Sequence, residues 1–170
     1  MVDPREAQIV ALARSQQRNV TRQQLLALGL GRAAIAHRAR SGRLHRVFTN
    51  VYAVGTPAAS PVERAAAAVL ACGDGAALSH ASALFLWGLQ RAWSEPIHVT
   101  TARDRRRPGI VVHVSVVLAP ADLRTQRGIR ATSPARTVLD CARELGGRLP
   151  RVIDDARNAG LLRVEQLMGK

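Results

Sequence analysis

The sequence predicts an α+β protein, with an N-terminal winged helix-turn-helix followed by a mixed α/β domain whose small sheet is covered by helices. Two observations predict the first part: two short helical segments separated by a tight turn, and a basic β-hairpin directly after them. The second part is predicted by alternating helix-like and strand-like runs beyond residue 60. We place the domain boundary in the linker GTPAASP, which contains two prolines, and expect domains at residues 1–57 and 58–170.

Two helices are expected before the candidate recognition helix. The second begins at Thr21, an N-cap residue with Gln24 at the capping-box spacing, and it ends at Gly29, a C′ glycine. The first spans residues 4–15, and four of its apolar side chains lie on one side: Ile9, Val10, Leu12 and Ala13.

The third helix, expected from about Gly31 to Ser41, has a face of small and basic residues. Small residues between long basic ones let a helix approach base edges closely, as a recognition helix must. Ile35 and Ala39 lie outside this face and are expected to hold the helix to the core, whereas Arg38 is expected to extend to solvent or to a phosphate. An ordinary solvated basic face is the alternative. The face covers a sector of about 140° and consists of Arg32, Ala33, Ala36, His37 and Arg40.

The basic hairpin, LHRVFTNVYAVG, directly follows the third helix. Its turn is expected at Thr49-Asn50, because asparagine tolerates the left-handed conformation. Basic side chains at its entrance supply donors for the sugar-phosphate backbone. The candidate DNA-binding residues of the helices and the hairpin are Arg22, Arg32, Ala33, Ala36, His37, Arg40, Arg43, His45, Arg46 and Asn50.

The charge distribution favours double-stranded DNA as the partner. The net charge is +13, almost wholly from arginine, and the residues up to Gly55 hold nine arginines against two acids, a net +7. Arginine forks match phosphates and guanine edges, although a GC-rich genome also raises arginine content. No apolar run approaches the ~20 residues that span a bilayer, and MVDPREAQ has no apolar signal region. We therefore expect no membrane partner and a cytoplasmic location.

The second region is expected to begin with a helix capped by Ser60 and ending at Gly73. Another helix lies in LSHASALFLWGL, and one more runs through SPARTVLDCAREL. The basic loop Arg103–Arg107 is either a solvated turn or a second phosphate-contacting element, or a surface for an acidic or RNA-like partner. Strands are expected at 96–100, 110–116 and 128–131, and further helices at 149–159 and at the C-terminus.

No catalytic residue, metal ligand or cofactor is expected. His98 and His113 lie in neighbouring predicted strands and His80 at a helix start, but no pair has the H-x-x-x-H spacing. Strand histidines bonded to their neighbours are the preferred interpretation. Ser79-His80 lacks a third group, and adjacent helical residues point in different directions. Asp154-Asp155 is interpreted as a helix-surface pair, and Cys72 and Cys141 as buried free thiols.

Three segments carry a family resemblance: TRQQLLALGLGRAAIAHRARSGRLHRVFTNVYAVG, LSHASALFLWGL and IRATSPARTVLDCA. They resemble the AbiEi-type antitoxins of type IV toxin–antitoxin systems, especially actinobacterial members, in the same order over almost the whole chain. The resemblance implies a winged helix that binds inverted repeats in its own promoter, with residues 31–40 as the recognition helix and 44–54 as the wing. Gly31 stands where a Ser or Asp cap is common, and glycine is itself an acceptable cap.

The resemblance also implies a partner gene for a nucleotidyltransferase-like toxin that the antitoxin counteracts. We therefore expect a DNA-binding antitoxin that represses its own operon, as a monomer or a DNA-induced dimer, and not an enzyme. Two alternatives remain open at this point. The chain is the N-terminal part of a longer winged-helix protein with a nuclease-like domain, or it is a module that neutralises a toxin by direct binding.

Overall fold

The protein contains both helices and strands and is α+β, as the sequence predicts. The structure, a computed structural model, describes residues 4–103, 107–115 and 118–163. The chain divides into two compact units. The first comprises Met1–Asp74 with Arg127–Ile129, and the second comprises Gly75–Gln126 with Arg130–Lys170.

The first unit contains a three-stranded antiparallel sheet in the order β1-β3-β2. Strand β1 was not expected, because a three-residue strand that pairs with β3, more than thirty residues away in the chain, leaves no local periodicity. Its elements are α1 (Pro4–Ser15), β1 (Asn19–Thr21), α2 (Arg22–Ala27), α3 (Arg32–Arg40), β2 (Leu44–Phe48), β3 (Val51–Val54) and α4 (Pro61–Cys72).

Local capping signals define both ends of α2, and the prediction for them is confirmed. The hydroxyl of Thr21 accepts from the Gln24 N–H at 3.1 Å, and the Gln24 side chain accepts from the Thr21 N–H at 2.8 Å. Gly29 follows the helix with φ +82, a conformation that glycine adopts without a Cβ penalty. An N-cap such as Thr21 contributes about 1 kcal/mol to helix stability.

The core of the first unit holds the helices against the sheet. Val20 of β1 and Leu25 of α2 are fully buried. Each helix and strand from α1 to β2 contributes at least one side chain, so α3 is positioned by the same cluster that fixes the hairpin. The cluster consists of Ile9, Ala13, Val20, Leu25, Leu30, Ile35 and Leu44, with Leu12, Leu28, Tyr52 and Val54 packed against it.

Helix α4 packs on the three-stranded sheet and begins as predicted, with Ser60 as N-cap and Pro61 at the first position. Glu63 completes a capping box and also pairs with Arg18 at 3.0 Å. The backbone N–H groups of Ser60 and Ala59, together with the Arg18 charge, hold the pKa of Glu63 below its ordinary value. Helix α4 is therefore fastened to the segment just before β1.

The second unit is built on a five-stranded sheet in the order β6-β5-β4-β8-β7. Strand β4 runs antiparallel to β5 and parallel to β8, and β5 runs parallel to β6. The elements are β4 (Ala77–Leu78), α5 (His80–Leu86), β5 (Ile97–Thr101), β6 (Ile110–Val114), β7 (Leu123–Gln126), β8 (Ile129–Thr132), α6 (Pro134–Asp140), α7 (Ala142–Leu145) and α8 (Leu149–Asn158).

Most expected elements of this unit are found within a few residues of their predicted bounds. Strands β4 and β7 were not expected, and the helix predicted through SPARTVLDCAREL is divided at Cys141 into α6 and α7. The expected C-terminal helix and the centre of the basic loop, residues 104–106, lie outside the described residues.

Both cysteines are buried thiols outside any disulfide, as predicted. Burial raises the pKa of the Cys141 thiol to about 12, so this group stays protonated and unreactive at neutral pH. Within the described ranges, none of the helices combines the length and the apolar character that crossing a membrane requires.

Candidate nucleic-acid interface

The outer side of α3 has the exposure that a recognition helix requires. Each of the five predicted positions is exposed, and the helix begins at Gly31 without a side-chain cap. Alanines among these residues leave the helix narrow between its long basic side chains. The exposed positions are Arg32, Ala33, Ala36, His37 and Arg40.

The inner side of α3 differs from the prediction at two residues. Ile35 is buried as expected, but Ala39 is exposed and does not hold the helix to the core. Arg38 does not extend to solvent or a phosphate, because its guanidinium forms an ion pair with Glu6 of α1. The side chains of α3 that face the rest of the unit are therefore Ile35 and Arg38, which lie about one helical turn apart. Ala39 lies outside this inward-facing side.

The arginines on the outer side of α3, and Arg43 just after the helix, have no acidic partner among the described residues. Within the described part of the chain, the guanidinium groups of Arg32, Arg40 and Arg43 form no ion pair and no side-chain hydrogen bond. Two carboxylates of the first unit pair with other arginines, Glu6 with Arg38 and Glu63 with Arg18. The positive charge of α3 is therefore available to a polyanion.

The hairpin turn lies at the predicted Thr49-Asn50. Asn50 is exposed and has φ +63, the left-handed conformation that its residue type tolerates. The register shifts between Arg46 and Phe48, so Val47 forms an irregularity that bends the strand before the turn. Arg46 is exposed, and its guanidinium donates to the Thr49 hydroxyl at 3.3 Å.

The remaining predicted residues lie at the base and side of the hairpin. Arg43 is exposed between α3 and β2, and its backbone N–H donates to Arg38. His45 is half-buried and its Nε2 lies 3.1 Å from the Gly55 carbonyl, so this ring is engaged at the hairpin base. Arg22 is half-buried at the start of α2, and its backbone N–H donates to the Asn50 carbonyl at 2.8 Å.

An exposed α-helix with basic side chains is the kind of element that a DNA major groove admits. The groove is about 12 Å wide and admits one α-helix. An exposed helix with arginines near both ends can contact base edges, and basic residues of the adjoining hairpin can contact phosphates.

In the second unit, three histidines that are far apart in the sequence come together. The His98 Nδ1 lies 2.9 Å from the His113 Nε2, and the His80 ring stacks on His113 with centroids 3.6 Å apart. Each strand histidine is bonded to a neighbour, as predicted, but the neighbour is another histidine. His98 and His113 lie on the same face of the sheet because of the register in which the parallel strands β5 and β6 pair. The contact could be predicted only with knowledge of that register, which cannot be read from the sequence.

The Ser79–His80 pair also differs from the prediction that the two side chains point apart. The Ser79 hydroxyl oxygen lies 3.1 Å from the His80 Nδ1. Ser79 is the extended N-cap of α5 and His80 has φ +50, so the two residues do not follow helical geometry. Burial lowers the pKa of His80 to about 4.

The predicted surface pair Asp154-Asp155 is confirmed, since both residues are exposed on α8 and pair with arginines of the same helix. Asp155 pairs with Arg151 and Asp154 with Arg157. These carboxylates are therefore occupied by surface ion pairs.

Comparisons with known proteins agree with this picture in part. Residues 7–55 match a family described as "Transcriptional regulator, AbiEi antitoxin", a regulatory family, and this match confirms the predicted resemblance to AbiEi-type antitoxins. The crystal structure of the RV2827C protein from Mycobacterium tuberculosis is similar, with a TM-score of 0.55 and 20% sequence identity. The match covers 98% of this chain and 71% of that chain, and it shows a shared fold. A search of curated proteins gave no match.

Proposed function

We propose that the protein is an AbiEi-type antitoxin whose residues 1–57 form a winged helix that binds double-stranded DNA, and that it represses its own operon. The observation that carries the proposal is the outer side of α3, where exposed arginines flank small residues and have no acidic partner in the described part of the chain. The family match at residues 7–55 covers this same segment and supports a regulatory role.

The order of elements supports the placement of α3 in the major groove. Helices α2 and α3 are separated by residues 28–31, the short turn of a helix-turn-helix, and the second helix of that motif is the one that contacts bases. The β2–β3 hairpin follows α3 directly and occupies the position of a wing.

The side chains divide into two roles. Arg32, Ala36, His37 and Arg40 contact base edges, and the arginines among them also contact phosphates. Arg43 and Arg46, at the entrance of the hairpin, bind the sugar-phosphate backbone and supply affinity that does not depend on sequence. Inverted repeats in the promoter present two equivalent half-sites, and the protein binds them as a monomer or as a DNA-induced dimer.

Counteraction of a nucleotidyltransferase-like toxin is the second half of the proposed function. Its support is the resemblance to AbiEi-type antitoxins, which the family match confirms for residues 7–55. Co-purification of the full chain with the product of the neighbouring gene distinguishes neutralisation by contact from repression alone.

Repression of the protein's own promoter tests the proposal in cells. We expect full-chain protein supplied in trans to lower expression of a reporter gene placed behind its own upstream DNA, because bound protein blocks transcription. The measurement is reporter output with and without the protein, and an unrelated promoter of equal strength is the control. Equal output from both promoters in the presence of the protein contradicts autorepression.

A further inference from the structure

The three histidines of the second unit are brought together by strand register and by the start of a helix. In the parallel pair β5–β6, His98 lies opposite Val111 and His113 lies opposite Thr100. Side chains alternate between the faces of a sheet, so His98 and His113 share one face, two positions apart. This pairing fixes two imidazoles diagonally across neighbouring strands.

The third imidazole comes from α5, which is fastened to β5 by two hydrogen bonds. The Ser79 N–H donates to the His98 carbonyl at 3.0 Å, and the His98 N–H donates to the Ser82 hydroxyl at 3.0 Å. His80 is the first residue of α5 and has φ +50, which is uncommon for a residue other than glycine. Its backbone carries conformational strain, as residues at ligand sites often do.

The ligand atoms converge within the range of one metal ion. One ring nitrogen from each of His80, His98 and His113 lies within 4.8 Å of the other two. A tetrahedral Zn²⁺ with Zn–N bonds of about 2.0–2.1 Å holds its nitrogens about 3.3 Å apart. The His98–His113 separation of 2.9 Å is a hydrogen bond in which one ring carries the proton. For all three rings to bind one cation in place of this proton, the stacked His80 and His113 rings, whose planes are 12° apart, must turn so that the lone pairs of both point at the ion.

The surroundings favour a bound cation. An imidazole binds a metal ion through the lone pair of an unprotonated ring nitrogen. The carboxylates of Asp140 and Glu144 act electrostatically on His80 and His113. The Asp140 Oδ1 also accepts from the Arg136 guanidinium at 2.7 Å. The Asp140 Oδ2 is buried and, among the described residues, has no hydrogen-bond partner. The carboxylate of Glu144 and this buried Oδ2 of Asp140 therefore favour a cation at the imidazoles, although Arg136 offsets part of the charge of Asp140.

We propose that His80, His98 and His113 bind one Zn²⁺ ion through three imidazole nitrogens, with water in the fourth position. Imidazole ligands suit zinc and its neighbours in the first transition row, and zinc imposes no rigid geometry of its own. The bound ion ties α5 to β5 and β6 and stabilises the second unit. The site is independent of the proposed DNA binding, because its ligands all lie in the second unit and the candidate DNA contacts in the first.

Metal titration of the full chain tests the site directly. We expect metal-free protein to bind one Zn²⁺ per chain in competition with a chromophoric chelator. His98→Gln and His113→Gln are expected to weaken binding by about tenfold or more, since even the outer-shell partners of metal ligands cost that much. His37→Gln, which changes a histidine of the first unit, is the matched control and keeps wild-type zinc affinity. Stoichiometric binding that survives His98→Gln together with His113→Gln overturns the proposal.

A second measurement uses only the wild-type protein and so does not depend on how the variants fold. Diethyl pyrocarbonate modifies imidazole nitrogens, and mass spectrometry of peptides locates the modified residues. Zinc is expected to protect His80, His98 and His113 while His37 and His45 react equally with and without it. Modification of all five histidines at rates that zinc does not change overturns the proposal, as does the lack of any stoichiometric binding in the titration.

Discussion

Replacing Arg40 by glutamate is expected to lower affinity for the protein's upstream DNA by at least about 100-fold while the fold is retained. A bidentate arginine contact to a base contributes about 1–3 kcal/mol of discrimination, and the introduced carboxylate adds repulsion from the phosphates. Arg40 is exposed and has no ion pair within the described residues, so its loss removes no structural contact. Fluorescence anisotropy with a labelled duplex measures the change.

Arg14→Glu provides the matched control for Arg40→Glu. Arg14 is exposed in the last turn of α1, so the variant makes the same charge change in the same unit but on a different helix. We expect the control to retain affinity within about fivefold, because it alters only the long-range field. Wild-type affinity in a folded Arg40→Glu protein, or equal losses in both variants, contradicts a role for Arg40 at the DNA surface. Circular dichroism verifies the fold in each case.

Salt is expected to weaken binding steeply. Each phosphate neutralised on duplex DNA changes the slope of log affinity against log salt concentration by about −0.9. The four candidate phosphate contacts therefore predict a slope of about −3.6 for one bound chain and twice that for a dimer. These contacts are Arg32, Arg40, Arg43 and Arg46. Between about 50 and 200 mM salt, affinity falls by about 100-fold for each bound chain.

The same salt series distinguishes phosphate contacts from base contacts. Arg43→Ala is expected to reduce the magnitude of the slope by about 1 and to weaken binding to every duplex alike, because this residue lies at the hairpin entrance. The slope of the wild-type protein also reports whether one or two chains occupy the operator. Binding that is insensitive to salt contradicts the assignment of these arginines to phosphates.

The elements with local signals were predictable from the sequence. Thr21 and Gln24 define the start of α2, and Asn50 marks the hairpin turn, because capping and turn chemistry depend on residues only a few positions apart. The exposed side of α3 followed from helical periodicity for the same reason. Its exposure is confirmed, and its role in DNA binding remains a prediction.

The features that were missed depend on partners distant in sequence. Strand β1 exists because β3 pairs with it, and Arg38 turns inward because Glu6 of α1 lies beside it. The histidine cluster requires the parallel register of β5 and β6, which brings together residues fifteen positions apart. No spacing rule within one element carries such information.

Titration of the full chain with its own upstream duplex and with a scrambled duplex of equal length and composition tests the central claim most directly. Specific complexes bind about 10³–10⁷ times more tightly than non-specific ones. Electrostatic attraction between a basic surface and phosphates does not depend on sequence, so by itself it gives equal affinity for both duplexes. We predict that affinity for the upstream duplex is at least about 10³-fold higher at physiological salt. Equal affinity for the two duplexes contradicts the claim that α3 recognises a DNA sequence.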